Sequence, residues 1–145
     1  MRFTRTLLTS LAAALLAGCG SSTPSSSLPV PTTTDVSLDQ TFTLAPGQSA
    51  RIPAQGLEVR FDSVSGDSRC PEDVVCVWAG DAAINLTLTK GGQSRAVAMH
   101  TTLDPKVITE GEVQISFVKL APNTNSKRSI PQSEYRVQLK ASTGA

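Results

Sequence analysis

Four stretches of this chain alternate apolar and polar residues with a period of two. Leu57, Val59 and Phe61 are interleaved with Glu58, Arg60 and Asp62, and Ala82, Ile84, Leu86 and Leu88 with Ala83, Asn85, Thr87 and Thr89. Val113, Ile115 and Phe117 alternate with Glu112, Gln114 and Ser116, and Tyr135, Val137 and Leu139 with Glu134, Arg136 and Gln138. Successive side chains of a strand point to opposite faces, so each pattern buries one face and wets the other, as antiparallel strands with one solvated face require. Lys90-Gly91-Gly92-Gln93 falls between two such runs and reads as a hairpin turn; Ala45-Pro46-Gly47-Gln48 is a similar break. At Phe117-Val118 the apolar phase slips, with Val118 and Leu120 on the other parity, which predicts a bulge or a strand buried on both faces. After residue 38 no stretch carries a helical period of useful length, and no repeat is present. The chain is therefore expected to be all-β, an antiparallel β-sandwich or small barrel of about seven or eight strands over residues 39–145.

The N-terminal part follows a different pattern. Arg2 and Arg5 precede LLTSLAAALLA, an apolar run of eleven residues from Leu7 to Ala17. A spanning helix needs about 20 such residues, whereas eleven suits the apolar region of an export signal. The run closes on Leu16-Ala17-Gly18-Cys19, which resembles a bacterial lipobox. The resemblance implies a signal peptide over 1–18, diacylglycerol on the Cys19 thiol, cleavage before Cys19 and acylation of the new N-terminus, so that the bilayer is a partner through acylated Cys19. Gly20, rather than Asp, follows Cys19; by the same resemblance, this favours the outer membrane, periplasmic or surface side, in a cell with two membranes. From Gly20 to Thr34, twelve of fifteen residues are Ser, Thr or Pro, a composition that cannot offset its ordering entropy by burial, so 19–38 is expected to act as a tether.

With Cys19 committed to lipid, Cys70 and Cys76 remain as an even pair in an exported domain, and a disulfide between them is expected. They lie in SGDSRCPEDVVCVWAG, between two of the alternating runs. Asp67-Ser68-Arg69-Cys70-Pro71 followed by Cys76-Val77-Trp78-Ala79-Gly80 resembles a motif of small bacterial lipoproteins and secreted proteins of uncharacterised function. The resemblance implies a β-sandwich-like domain and brings no activity with it. Arg69, Pro71, Glu72, Asp73 and Trp78 are the candidate interaction residues of this loop. Trp78 has two readings: a ring packed over the disulfide, which is the expected one, or an exposed anchor for a ligand or partner. Gly80 would permit a tight path into the next strand.

Charge and composition then exclude several classes. Of 13 Lys+Arg, the signal would remove Arg2 and Arg5, leaving 11 against 12 Asp+Glu, a net charge of −1 and no basic stripe for nucleic acid. The one histidine, His100, removes most His-based metal sites and Ser-His or Cys-His catalysis. Five residues separate Cys70 from Cys76 with no flanking helix, so a low-pKa redox thiol is not expected. Asp62, Asp67, Glu72, Asp73 and Asp81 are acidic neighbours without a Ca²⁺-loop spacing, and Met99 and His100, adjacent on a strand, point to opposite faces and would not converge on copper. No catalytic motif is present, and Lys127-Arg128, in the stretch from Pro122 to Pro131, reads as an exposed loop between strands. The expectation is a membrane-anchored envelope lipoprotein with a non-enzymatic binding or structural domain, no catalytic residue, no metal and no cofactor. Its partner would be an envelope protein or small ligand. The alternatives are a small carboxylate hydrolase and a metal-binding envelope protein.

Overall fold

The computed structural model describes residues 32–144; the expected signal peptide, the expected lipid attachment at Cys19 and the expected tether up to residue 31 lie outside the described residues. Among the described residues nine strands form two sheets: β1 (Thr33–Asp35), β2 (Thr41–Leu44), β3 (Ser49–Ile52), β4 (Leu57–Ser65), β5 (Ala83–Lys90), β6 (Gln93–His100), β7 (Val107–Glu110), β8 (Val113–Ala121) and β9 (Arg136–Thr143). One sheet runs β1-β3-β4-β5-β6 and the other β2-β9-β8-β7, so the domain is a sandwich rather than a closed barrel. Every pairing is antiparallel except β1 with β3.

The alternating residues meet in one core. Leu57, Val59, Phe61, Ile84, Leu86 and Leu88 of the first sheet face Val113, Ile115, Val137 and Leu139 of the second, all buried. Lys90 pairs with Gln93 across Gly91 and Gly92, both at positive φ, which gives the expected hairpin. Ala45–Gln48 instead carries the chain from β2 in one sheet to β3 in the other. The slip at Phe117 is a bulge: the β8–β9 register shifts between Phe117 and Lys119, which leaves Val118 exposed while Leu120 returns to the core. A second bulge, not anticipated from the sequence, lies between Phe61 and Ser63 and lets Val64, on the parity opposite to Phe61, reach the core.

One boundary is corrected. Thr33–Asp35, inside the stretch read as tether, form a strand: Asp35 and Arg51 are joined by an exposed ion pair at 2.8 Å, and Val36 N–H donates to the Arg51 carbonyl. The Thr-rich composition hides this strand because all three residues are exposed and contribute pairing rather than core.

Strand direction decides what shares an end of the sandwich. Connections 45–48, 66–82, 101–106 and 122–135 lie toward one end, here called the upper end; 36–40, 53–56, 91–92 and 111–112 lie toward the other. β1 is parallel to β3 and therefore opposed to β4, so the chain preceding Thr33 enters from the upper end.

Candidate functional site

The upper end is dominated by the loop from Gly66 to Ala82. Its two legs pair as an irregular ribbon: Ser68 N–H donates to the Asp81 carbonyl at 2.7 Å and Cys70 N–H to the Ala79 carbonyl at 3.0 Å. Gly80 sits between these rungs at φ 67°, and a Cβ there would lie 1.8 Å from the Ser68 carbonyl oxygen, so the close approach requires glycine as expected. Cys70 and Cys76 are joined by a disulfide, with Cα atoms 5.9 Å apart.

Arg69 fastens this ribbon to both sheets. Its guanidinium grips Asp67 through Nε (2.9 Å) and Nη2 (2.6 Å), and it also donates to the carbonyls of Leu120 (2.8 Å) and Pro122 (3.0 Å) at the end of β8. Tyr135, just before β9, donates its hydroxyl to the same carboxylate at 2.9 Å. The Arg69 and Asp67 side chains are only 14% and 10% exposed, so the pair is largely withdrawn from solvent. Arg69, one of the candidate interaction residues, thus acts as a structural brace. The Asp67–Arg69–Tyr135 triad escaped sequence reasoning, although one signal was present: the chain's one tyrosine occupies an inward position, where a buried hydroxyl needs a partner.

Glu72 and Asp73 are exposed but turned onto the 122–131 segment. Asn123 Nδ2 donates to Glu72, and Ser126 donates its N–H to Asp73 at 2.8 Å; Glu72 N–H reaches the Thr124 carbonyl, and Thr124 Oγ1 the Arg69 carbonyl. The stretch read as an exposed loop between strands lies exposed between β8 and β9, and it is also the seat of the disulfide loop. Pro71 lines the polar cleft between the two, of about 380 Å³, together with Asp67, Arg69 and Arg128. Arg128 is paired with Glu134.

Trp78 does not pack over the disulfide. It is 82% exposed, and Val75 and Val77 are exposed still further. Cys70 is half-buried and Cys76 exposed, so the bridge lies outside the core and gives the indole no buried apolar surface to join. Trp78 and Leu103, the latter from the β6–β7 connection, flank a shallow, mainly apolar cleft of about 320 Å³ with Ser68, Ala79, Gly80, Asp81 and Thr102. Val74 adds to the exposed apolar set. The loop therefore has two faces, an ionic one turned into the domain and an apolar one turned out.

Asp81 fixes the Leu103 side of the cleft. It shares a 2.6 Å hydrogen bond with His100 Nδ1 and accepts from Thr101 Oγ1 and from the N–H groups of Thr102 and Leu103. Met99 beside His100 is fully buried on the opposite face, as strand geometry requires. Among the described residues, no group of three or more His, Cys, Asp or Glu side chains is placed to hold a metal ion.

These carboxylates make stability pH-dependent. Burial pushes Asp81 up, but the hydrogen bonds from His100, Thr102, Leu103 and Thr101 outweigh it and hold the group at about 2, below its ordinary 3.8. Burial likewise pushes Asp67 up, and Arg69 and Tyr135 bring it below 3.8. Between these values the unfolded chain binds protons that the folded chain does not, so the contribution is whole above about pH 4 and falls away toward pH 2. Tyr135, raised to about 12 first by burial and then by its bond to Asp67, has the opposite sign: its contribution is full below about pH 10 and fades toward 12. Urea midpoints should fall on acidification through this window, and Asp81→Asn should flatten that arm; a wild-type midpoint unchanged from about pH 5 to 2.5 would contradict the assignment.

Comparison with protein-family models, with curated proteins and with solved structures finds no match to the chain.

Proposed function

We propose that this protein is a lipid-anchored lipoprotein of the cell envelope, held to the bilayer through acylated Cys19, and that its β-sandwich is a non-enzymatic binding module. The binding face is the outer side of the disulfide loop. One observation carries this reading: Val75, Val77 and Trp78 stand exposed on a loop whose charged side chains are all engaged with the domain behind it. Exposing the Trp78 indole together with Val74, Val75 and Val77 on one short loop forgoes the gain of burying them, and apolar side chains gathered at an exposed surface mark interaction sites. The bracing supports the same reading, because an anchor already fixed loses little conformational freedom on binding. Asp67, the carboxylate of the polar cleft, is committed to Arg69 and Tyr135, which favours a structural role over hydrolysis.

The test combines fractionation with photocrosslinking in intact envelopes. A diazirine side chain at position 78 should label an envelope component, and the same group at Gln93, in the hairpin at the opposite end, should not. Cys19→Ser should move the protein out of the detergent-requiring fraction and abolish the labelling. Equal labelling from both positions, or continued membrane retention of Cys19→Ser, would contradict the proposal.

A further inference from the structure

The tether and the apolar loop meet at the same end of the domain. The chain before Thr33 enters β1 from the upper end, where β4 ends at Ser65 and the disulfide loop begins. Thr33 lies level with Arg60, through Ser49, so the root of the loop stands about 15 Å further along the strand direction. Thirteen residues separate Cys19 from Thr33, and a chain of that length reaches at most about 45 Å. An anchor at Cys19 therefore pulls on the end of the sandwich that carries Trp78, and the connecting chain is long enough to let that end touch the bilayer.

We propose that the outer face of the disulfide loop docks on the membrane into which acylated Cys19 inserts, with Trp78, Val77 and Val75 in the interfacial layer beside Leu103. This rests on the lipid-anchor reading above. The chemistry of the face suits such a surface. An indole combines an apolar ring with one N–H donor, the pairing that places Trp at the level of lipid headgroups. Three valines and Leu103 add exposed apolar area around it; Asp67, Glu72 and Asp73 are turned back onto Arg69, Asn123 and Ser126, and Asp81, which lines the cleft between Trp78 and Leu103, has its carboxylate taken up by His100, Thr101 and the N–H groups of Thr102 and Leu103. So small a face is a weak membrane ligand alone, but tethering makes the second contact intramolecular and raises its effective concentration to the millimolar range, by order of magnitude. The consequence is orientation: a domain on a single tether tumbles, whereas one held at two points presents its lower end, with the 53–56, 91–92 and 111–112 turns, away from the membrane.

The chain contains one tryptophan, so its fluorescence reports on this face alone. The experiment uses the mature acylated protein on vesicles of phosphatidylethanolamine and phosphatidylglycerol, with and without brominated acyl chains. The expected result is co-flotation with vesicles, a blue shift of Trp78 emission and its quenching by the brominated lipid. The double variant Val75→Asp, Val77→Asp, altered only at exposed positions, should still float through its acyl chains while losing both the shift and the quenching. Flotation with unshifted, unquenched emission would overturn the docking and leave the anchor standing. Quenching that persists in the double variant would overturn it too, as would a protein adduct from position 78 in envelopes combined with unquenched emission on vesicles. Failure of the acylation-competent protein to float would remove the anchor reading and the docking with it.

Discussion

Arg69→Ala is expected to destabilise the domain by about 3–5 kcal/mol, the range for breaking a largely buried ion pair by removing one partner. Four side-chain hydrogen bonds disappear together, two to Asp67 and one each to the Leu120 and Pro122 carbonyls. Tyr135 and the Arg69 N–H still reach Asp67, but the carboxylate is left in a site 10% exposed with no cation against it. Arg69→Lys should rescue little, because one ammonium cannot reproduce a planar fork that grips a carboxylate and two carbonyls at once. Adding Asp67→Asn to Arg69→Ala should recover part of the loss, since it removes the uncompensated charge. Urea unfolding monitored by circular dichroism measures all of these, and a loss below about 1 kcal/mol for Arg69→Ala would mean that the pair behaves as an ordinary surface salt bridge.

Gly80→Ala is expected to cost about 3 kcal/mol through two effects of comparable size. A non-glycine residue at φ 67° is strained by about 1–3 kcal/mol, and the added methyl would sit 1.8 Å from the Ser68 carbonyl oxygen. That neighbour is backbone and cannot rotate away, so the ribbon must open. Its rungs, Ser68 to Asp81 and Cys70 to Ala79, should lose protection in amide exchange together with the global loss of stability. Gly47→Ala provides the control: it also replaces a positive-φ glycine, but its Cβ would meet nothing within 4 Å, so only the backbone strain remains. Equal effects at the two positions would show that the close approach at Gly80 contributes nothing.

These two residues mark the limit of what the sequence discloses. Alternation at 57–61, 82–88, 113–117 and 135–139 predicts strands and their buried faces, and hence a sandwich or small barrel, because period two leaves one face to bury; the two separate sheets decide for the sandwich. The β8 bulge is legible in the same way, from the parity of Val118 and Leu120. The Cys70–Cys76 bridge follows from counting cysteines once Cys19 is set aside. The missed features depend on contacts distant in sequence. Arg69 meets carbonyls 51 and 53 residues away, which nothing near Arg69 announces. Packing of Trp78 over the disulfide is expected because an indole usually finds an apolar partner for its ring, and that tendency gives no weight to the bridge itself lying outside the buried core. β1 was missed because its exposed threonines read as tether composition, while its order comes from pairing with β3 and from the Asp35–Arg51 contact.

The proposed binding and the proposed membrane docking share one premise, that the loop holds Trp78 outward in the free protein. Fluorescence of this single tryptophan in the mature Cys19→Ser chain, without lipid and with the disulfide intact, tests it directly. The account predicts the red-shifted emission of a solvated indole and unhindered quenching by acrylamide. Blue-shifted emission shielded from the quencher would place the ring against the domain and contradict it.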